Sequence, residues 1–362
     1  MKPIGRNALL AITLLAITLS FSLGCGGSTS PSDPPSGAEA QVAEEGEALY
    51  RKYCALCHGE QLEGYAADHA NALANQNFLR SASDGFIATA IRRGRPGTPM
   101  AAYDESFGGP LGSQEVAILT AFIRSHQSEP PVALEKTVEG DPAVGKAIYQ
   151  KRCIGCHGRE GEGNTALSLN NPLFLSTVTD GYIRFAIEYG REGTKMPAYG
   201  ERMSTEELNG VTRYVRSFIN TVSTARPEGE VPPAFDQVVI NPDGPAPDFS
   251  PLREGRYVPA EEVKKALEKG ARMVILDARP TSDWLRSHIP GALPVPYYDP
   301  ARMVDSIPRD GTWVLAYCAC PHAASGRVMD TLRDRGFEKT AVIDEGVIEW
   351  AQRGYPMTYG RQ

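Results

Sequence analysis

The sequence predicts a multidomain chain: two small all-α modules of one kind, followed by an α/β domain with a mainly parallel sheet. Three observations predict it. The segment from Gly46 to Gly59 recurs from Gly145 to Gly158. Prolines accumulate between Thr221 and Arg256 without sustained apolar periodicity. Beyond them, short apolar runs alternate with a helical stripe, the pattern of βα units.

Bulk properties set the frame. At 362 residues the chain is long enough for two or three domains of ordinary size. Its hydrophobic fraction of 41% is that of a globular protein, and 36 Gly with 28 Pro imply linkers between folded parts. The formal charge of −7 argues against nucleic acid as a partner; it would favour encounter with basic redox partner proteins, but a net charge this modest is first a solubility feature.

The N-terminus reads as export machinery. Lys2 and Arg6 precede an uncharged apolar run from Ala8 to Leu23, the charged and hydrophobic regions of a secretory signal over residues 1–24. The run is short for a spanning helix. It ends at Ser22-Leu23-Gly24-Cys25, which resembles a bacterial lipoprotein cleavage site, although Ser22 stands where such sites usually carry Leu. Cys25 would then carry the lipid and anchor the protein to a membrane on the periplasmic side. Residues 25–42, rich in Gly, Ser and Pro, are expected to act as a flexible tether.

The repeat carries the chemistry. Gly46-Glu-Ala-Leu-Tyr-Arg-Lys-Tyr-Cys54-Ala-Leu-Cys57-His58-Gly59 returns as Gly145-Lys-Ala-Ile-Tyr-Gln-Lys-Arg-Cys153-Ile-Gly-Cys156-His157-Gly158. Farther on, Asp84-Gly85 returns as Asp180-Gly181, and the run from Gly94 through Met100 to Tyr103 returns from Gly190 through Met196 to Tyr199. Three residues are lost between these blocks in the second copy. The modules are expected over residues 43–128 and 141–220, with residues 129–140 as a linker.

Cys-x-x-Cys-His places two thiols one helical turn apart, able to add to the two vinyl groups of one haem while the adjacent His presents its ring to the iron. A thioredoxin-like redox pair or half a zinc site would use a single such motif. Duplication, the helix-like segments Glu47 to Tyr53 and Lys146 to Arg152 before the motifs, and the lack of any further Cys-x-x-Cys select haem. The four attachment residues are Cys54, Cys57, Cys153 and Cys156, with His58 and His157 as iron ligands.

On these motifs both modules resemble class I c-type cytochromes. The resemblance implies a small helical fold around each of two covalently attached haems c, and a Met as sixth ligand in a Gly/Pro-rich loop before the last helix. Met100 and Met196 stand there. Met203 is the runner-up in the second module, and His69 and His126 read as surface residues. Thioether plus imidazole ligation suits electron transfer rather than gas binding. The closing helices carry the stripes Val116, Leu119, Phe122, Ile123 and Leu208, Val211, Tyr214, Val215, Phe218, the second opened by a Ser204/Glu207 capping box.

After an expected linker over residues 221–256, the last unit spans 257–362. Glu261 to Lys269 reads as a helix, Arg272 to Asp277 and Trp313 to Tyr317 as buried strands. Leu276-Asp277-Ala278-Arg279 with His288-Ile289-Pro290-Gly291-Ala292, and Gly346-Val-Ile-Glu-Trp350 with Gly354-Tyr-Pro356, resemble the two signatures of the rhodanese family. The resemblance implies a catalytic Cys directly after a strand, where Cys318 stands.

A thiol at a strand end, in a loop of inward N–H groups that opens a helix, is placed to become a thiolate, accept sulfane sulfur as a persulfide and pass it on. Cys320 is the alternative nucleophile or a resolving thiol. Arg327 would hold an anionic donor such as thiosulfate, and His322 would supply a proton or hydrogen bond, unless both are simply exposed residues of the loop and helix start. The loop Cys318-Ala-Cys320-Pro-His-Ala-Ala-Ser325 departs from the family pattern in lacking its Arg, and neither Cys has the Cys-x5-Arg spacing of phosphatases. Two functions follow: an electron carrier coupled to a sulfurtransferase, or a diheme carrier whose last domain is an inactive docking module.

Overall fold

A computed structural model describes residues 37–220, 237–319 and 322–360. The signal segment, Cys25 and Cys320 lie outside the described residues. Among the described residues no helix is long and apolar enough to cross a membrane.

The first module comprises α1 (Gly37–Tyr53), α2 (Ala55–His58), α3 (Gln76–Ser81), α4 (Asp84–Arg93) and α5 (Ser113–Ser125). The second repeats it as α6 (Pro142–Arg152), α7 (Ile154–His157), α8 (Pro172–Thr177), α9 (Asp180–Tyr189) and α10 (Thr205–Arg216). First and last helices of each module cross tightly. A Cβ at Gly145 would lie 1.9 Å from the Gly210 carbonyl oxygen, and one at Gly46 would lie 2.6 Å from Cβ of Phe122. Close helix approach is the physical reason for the repeated glycine.

The repeated Asp-Gly pair also has a structural cause. Asp84 and Asp180 open α4 and α9 and receive Arg124 and Arg216 from the closing helices. The same guanidinium groups satisfy carbonyls at the C-terminal ends of α3 and α8, those of Leu79 and Ala82 in one copy and of Leu175 and Val178 in the other. The closing stripes bury as expected: Val116, Leu119, Ile123, Leu208, Val211 and Val215 are core residues. The Ser204/Glu207 capping box is formed. In the first copy, the Glu115 carboxylate accepts the Gly112 N–H at 2.7 Å.

The modules face each other about a pseudo-twofold. Asn75 donates to the Glu192 carbonyl at 2.7 Å, and its repeat mate Asn171 donates to the Pro96 carbonyl at 2.8 Å. Accordingly α3 packs on α9 and α4 on α8.

The last domain has β1 (Tyr257–Val258), α11 (Ala260–Glu268), β2 (Met273–Asp277), α12 (Thr281–Arg286), β3 (Leu293–Pro294), β4 (Trp313–Tyr317), α13 (Ala323–Asp334), β5 (Thr340–Ile343) and α14 (Gly346–Gln352). Its five strands are all parallel, in the order β1-β5-β4-β2-β3. Both faces are covered, so β2, β4 and β5 are buried throughout and read as unbroken apolar runs.

Three boundaries differ from expectation. The first helix begins at Gly37, inside the expected tether, because Ala and Glu dominate the stretch from Ala38 to Glu45 and favour helix even where it is solvent-exposed. Residues 129–140 are bound rather than loose: Val132 N–H donates to the Arg80 carbonyl, Gly181 N–H to the Glu135 carbonyl, and Val138 is buried. The described end of the Pro-rich linker belongs to the α/β domain. Ile240 forms an antiparallel bridge with Met273, while Val238 and Phe249 enter the core. Isolated apolar residues at irregular spacing fill gaps without producing a periodic signal.

Candidate haem sites and sulfur site

Cys54 follows α1 without a real break, since its N–H bonds to the Tyr50 carbonyl at 2.7 Å and His58 N–H bonds to the Cys54 carbonyl at 3.0 Å. This keeps Cys54, Cys57 and His58 on one helical path. The second copy does the same, with Cys153 bonded to Tyr149 at 2.9 Å and His157 to Cys153 at 3.0 Å. Gly59 and Gly158, at φ 82° and 81°, then turn the chain aside in a conformation that disfavours a side chain. The fully buried Tyr50 and Tyr149 tie these turns down by donating to the glycine carbonyls at 2.7 and 2.9 Å.

The two histidines are set up as ligands. His58 Nδ1 lies 2.8 Å from the Asn71 carbonyl oxygen and His157 Nδ1 lies 2.9 Å from that of Leu167. Burial lowers both pKa values, so each ring is neutral; its proton belongs on Nδ1, donating to the carbonyl, and Nε2 keeps its lone pair for iron. The four motif thiols form no disulfide. A neutral imidazole beside two thiols one turn apart is the donor set that a covalently attached haem requires, so the residues fit the group.

The methionine loops are copies of each other. Arg95 N–H bonds to the Met100 carbonyl at 2.7 Å, and Thr98 Oγ1 accepts the Met100 N–H at 3.2 Å. Arg191, Thr194 and Met196 repeat this at 3.0 and 3.1 Å. Met100 is half-buried against the core that also takes in Cys54, and Met196 is half-buried in the equivalent loop. Met203 is a buried core residue. His69 is exposed, and His126 packs on Phe122 with Nδ1 near its carbonyl.

In the last domain Asp277, at the end of β2, binds Arg279 and accepts from the Tyr317 hydroxyl at 2.7 Å. This buried group explains the Asp-Ala-Arg signature as scaffolding for the β2 and β4 ends. Cys318 follows β4 directly. Its Sγ lies 3.3 Å from Ser325 Oγ and receives backbone N–H groups of Ser325 and His322. Burial nevertheless raises the thiol pKa above its ordinary value; the Ser325 and His322 hydrogen bonds act against that rise.

His322, in the left-handed region at φ 78°, contributes its backbone at the sulfur. Its ring turns instead to Asp344 Oδ1 at 3.0 Å and stacks on Tyr257. Arg327 is exposed on the rim of a crevice lined also by Leu56, Arg256, Tyr257 and His322.

Leu56 lies between the two haem-motif cysteines of the first module, so this crevice joins the two kinds of site. Helix α2 packs against α13. Around them Tyr297 donates to the Tyr53 carbonyl at 2.5 Å and pairs with the Tyr103 hydroxyl at 2.8 Å, while Ser282 donates to the Ala102 carbonyl at 2.5 Å. Neither Ser282 nor Tyr297 carries a motif, so sequence reasoning passed over them.

A family model described as cytochrome c oxidase, cbb3-type, subunit III matches residues 41–123 and 140–215, and the rhodanese-like domain model matches 259–353. The chain joins cytochrome c domains to a rhodanese-like domain. The cytochrome part of this cytochrome–rhodanese chain is similar to curated cbb3-type cytochrome c oxidase subunits. It is 27% identical to FixP of Bradyrhizobium sp. (strain ORS 278) over 49% of this chain and 61% of that one. Against FixP of Azorhizobium caulinodans the identity is 29%, over 48% and 58% of the two chains. The cytochrome–rhodanese chain thus spans about three-fifths of the length of these relatives. Among solved structures, a thiosulfate sulfurtransferase from Pseudomonas aeruginosa is 28% identical over 30% of this chain and 21% of that one, with a TM-score of 0.27. That score is too low to carry an argument about geometry.

Proposed function

We propose that this protein is an exported, periplasmic electron carrier with two covalently bound haems c, coupled to a sulfurtransferase site at Cys318. The observation that carries the electron-transfer half is the duplicated Cys-x-x-Cys-His with each His held in its Nδ1–H tautomer by a backbone carbonyl. Cys54 and Cys57 would hold one haem and Cys153 and Cys156 the other, with His58/Met100 and His157/Met196 as axial ligands. Haem iron so ligated supplies reversible one-electron transfer. The protein's own part is to fix the ring tautomers, shield the sites with helices and hold the Met loops through Thr98 and Thr194. Cys25, as a lipidated first residue, would keep the protein at a membrane, and redox partner proteins would deliver and remove electrons.

At the rhodanese-like site the Cys318 thiolate would attack the outer sulfur of a sulfane donor such as thiosulfate. The donor's S–S bond breaks, sulfite leaves with the electron pair, and Cys318 keeps the sulfur as a persulfide for a second thiophile. The N–H groups of His322 and Ser325 stabilise the anionic sulfur in both states.

A second reading, in which the rhodanese-like domain only docks a partner, is favoured by one observation: Cys318 is only 4% exposed. Thiocyanate formation from thiosulfate and cyanide by the holoprotein separates the readings, with Cys318→Ser and Cys320→Ser as variants. Turnover abolished by the first variant alone supports sulfur transfer at Cys318. No turnover, with haems that reduce and reoxidise normally, supports the docking reading. Haem count per chain, from the alkaline pyridine spectrum, tests the two attachment sites independently.

A further inference from the structure

The rhodanese-like domain covers the Cys-x-x-Cys-His motif and the Met loop of the first module and leaves their copies in the second module open. Ala101 and Ala102, just after Met100, are each 1% exposed, whereas the matching Pro197 and Ala198 are exposed. Tyr53, the residue before the first motif, is buried, and the matching Arg152 is exposed. Within the motif Leu56 and Cys57 are half-buried, against exposed Gly155 and Cys156. The residue types follow the exposure. An aromatic and an aliphatic side chain stand where the first copy meets a protein surface, and Arg and Gly stand at the same places where the second copy meets water. The two copies are thus built for different surroundings.

The cover is bonded to both segments that carry the proposed ligands of the first iron. Tyr297 donates to the Tyr53 carbonyl at 2.5 Å, directly ahead of Cys54, and its oxygen lies 2.8 Å from the Tyr103 hydroxyl. Since the single Tyr297 proton goes to the carbonyl, Tyr103 is the donor in that pair. Ser282 donates to the Ala102 carbonyl at 2.5 Å, two residues past Met100. Apolar contacts close the seam. The Tyr298 ring meets that of Tyr53 with centroids 5.0 Å apart, and a Cβ at Gly108 would lie 2.4 Å from Leu285 Cδ1. Buried hydroxyls of the last domain therefore hold the backbone on both sides of the first site.

Such a cover acts on the iron through charge. A ferric haem with neutral His and Met ligands carries one more positive charge than its ferrous form, and replacing water around it by protein disfavours the more charged state. Burial is accordingly one of the levers that set a haem's potential. The two sites share their ligand types and differ in this cover.

We propose that the rhodanese-like domain raises the reduction potential of the first haem above that of the second, with Tyr297 and Ser282 as positioning residues that hold the Cys54 segment and the Met100 loop closed. This rests on the His/Met ligation reading above and adds an order to the two haems. In a chain carrying one electron, the ferrous second haem passes that electron to the ferric first haem, with no bond made or broken, and the electron resides beside the rhodanese-like domain.

The test is a potentiometric titration of the full-length holoprotein, each midpoint being assigned to its module by the shift in Met100→Ala or Met196→Ala. The midpoint of the first module should be the higher. Tyr297→Phe, which removes one oxygen atom and keeps the ring, should lower it by about tenfold in the reduction equilibrium, or about 59 mV for one electron, the scale of one buried hydrogen bond. Ser282→Arg, which drives a long side chain against the Ala102 carbonyl, should lower it at least as far, and neither change should move the second midpoint. Cyanide should bind the ferric first haem faster in both variants as the Met100 loop loosens. If Ser282→Arg fails to fold, Tyr297→Phe decides alone. A first midpoint at or below the second in wild type overturns the proposal, as does a first midpoint that Tyr297→Phe leaves unmoved or two midpoints that fall together; each of these leaves the ligation reading standing. Fewer than two haems per chain, or midpoints that neither Met substitution moves, bring down the ligation reading and the proposal with it.

Discussion

Phe86 and Tyr182, which hold the same place in the two repeats, meet ring to ring with centroids 5.3 Å apart across the interface between the cytochrome modules. Phe78 and Phe174 extend the cluster on either side. Arg95 and Arg191, from the two Met loops, lie over Phe86 and Tyr182 at 5.0 and 5.5 Å. The Met loops and the module interface are therefore one packed unit.

Replacing Phe86 with Ala should weaken that unit. Removing a buried aromatic side chain costs about 3 kcal/mol through lost contacts and the cavity left behind. Calorimetry should show a lower melting temperature for the cytochrome part, with the rhodanese-like transition unchanged.

Asp180 predicts an acid limit for the second module. Burial alone would raise its pKa, but hydrogen bonds from Arg216, the Val138 N–H and Arg213 outweigh it and hold the carboxyl below its ordinary value. Its stabilisation is present above the unfolded carboxylate pKa and is lost as pH falls through the lower folded one. Asp180→Asn should cost about 2 kcal/mol at neutral pH, the scale of hydrogen bonds to charged groups. The variant should flatten the acid arm of a melting-temperature profile against pH.

On the proposed ligation, Met196→Ala should leave the haem attached, since Cys153 and Cys156 would hold it. It should open the sixth position, lower the midpoint potential of one haem and let that iron bind cyanide rapidly. Potentiometric titration of the variant beside Met100→Ala assigns each potential to its module. An unchanged potential in either variant excludes that Met as a ligand.

The raised Cys318 thiol fixes the direction of a pH profile. Thiolate is the nucleophile, so iodoacetamide labelling of Cys318 should keep accelerating as pH rises through and beyond the ordinary thiol range. Ser325→Ala removes a hydrogen bond that favours the anion and should shift the profile further up. Peptide mass spectrometry over a pH series reads both.

Tyr297→Phe removes the hydroxyl that donates to the Tyr53 carbonyl and pairs with Tyr103. About 1 to 3 kcal/mol should be lost from docking of the rhodanese-like domain, because buried partners are left unsatisfied. Protection of Cys318 from alkylation should fall in parallel.

Much of this molecule is local, and what is local was legible. Cys-x-x-Cys-His, the Ser204 capping box, the apolar stripes of the last helices and the unbroken strands Met273–Asp277 and Trp313–Tyr317 follow from helical and strand periods within a few residues of chain. So does the place of Cys318 at a strand end. The bound state of residues 129–140 and 237–256 was not legible, because a few isolated apolar side chains give no period. Ser325 was visible only as the last residue of a loop that departs from the family pattern, until folding set its hydroxyl against Cys318.

What the sequence by itself determined was the modules and the spacing of their motifs, for repetition and short-range periodicity encode them. The tertiary structure alone decided how the modules meet. The reciprocal bonds of Asn75 to Glu192 and of Asn171 to Pro96, the turn of the His322 ring toward Asp344, and the bond of Tyr297 to Tyr53 join residues from 22 to 244 positions apart. Such contacts depend on the shape and charge of whole surfaces, and no single stretch of chain contains both partners.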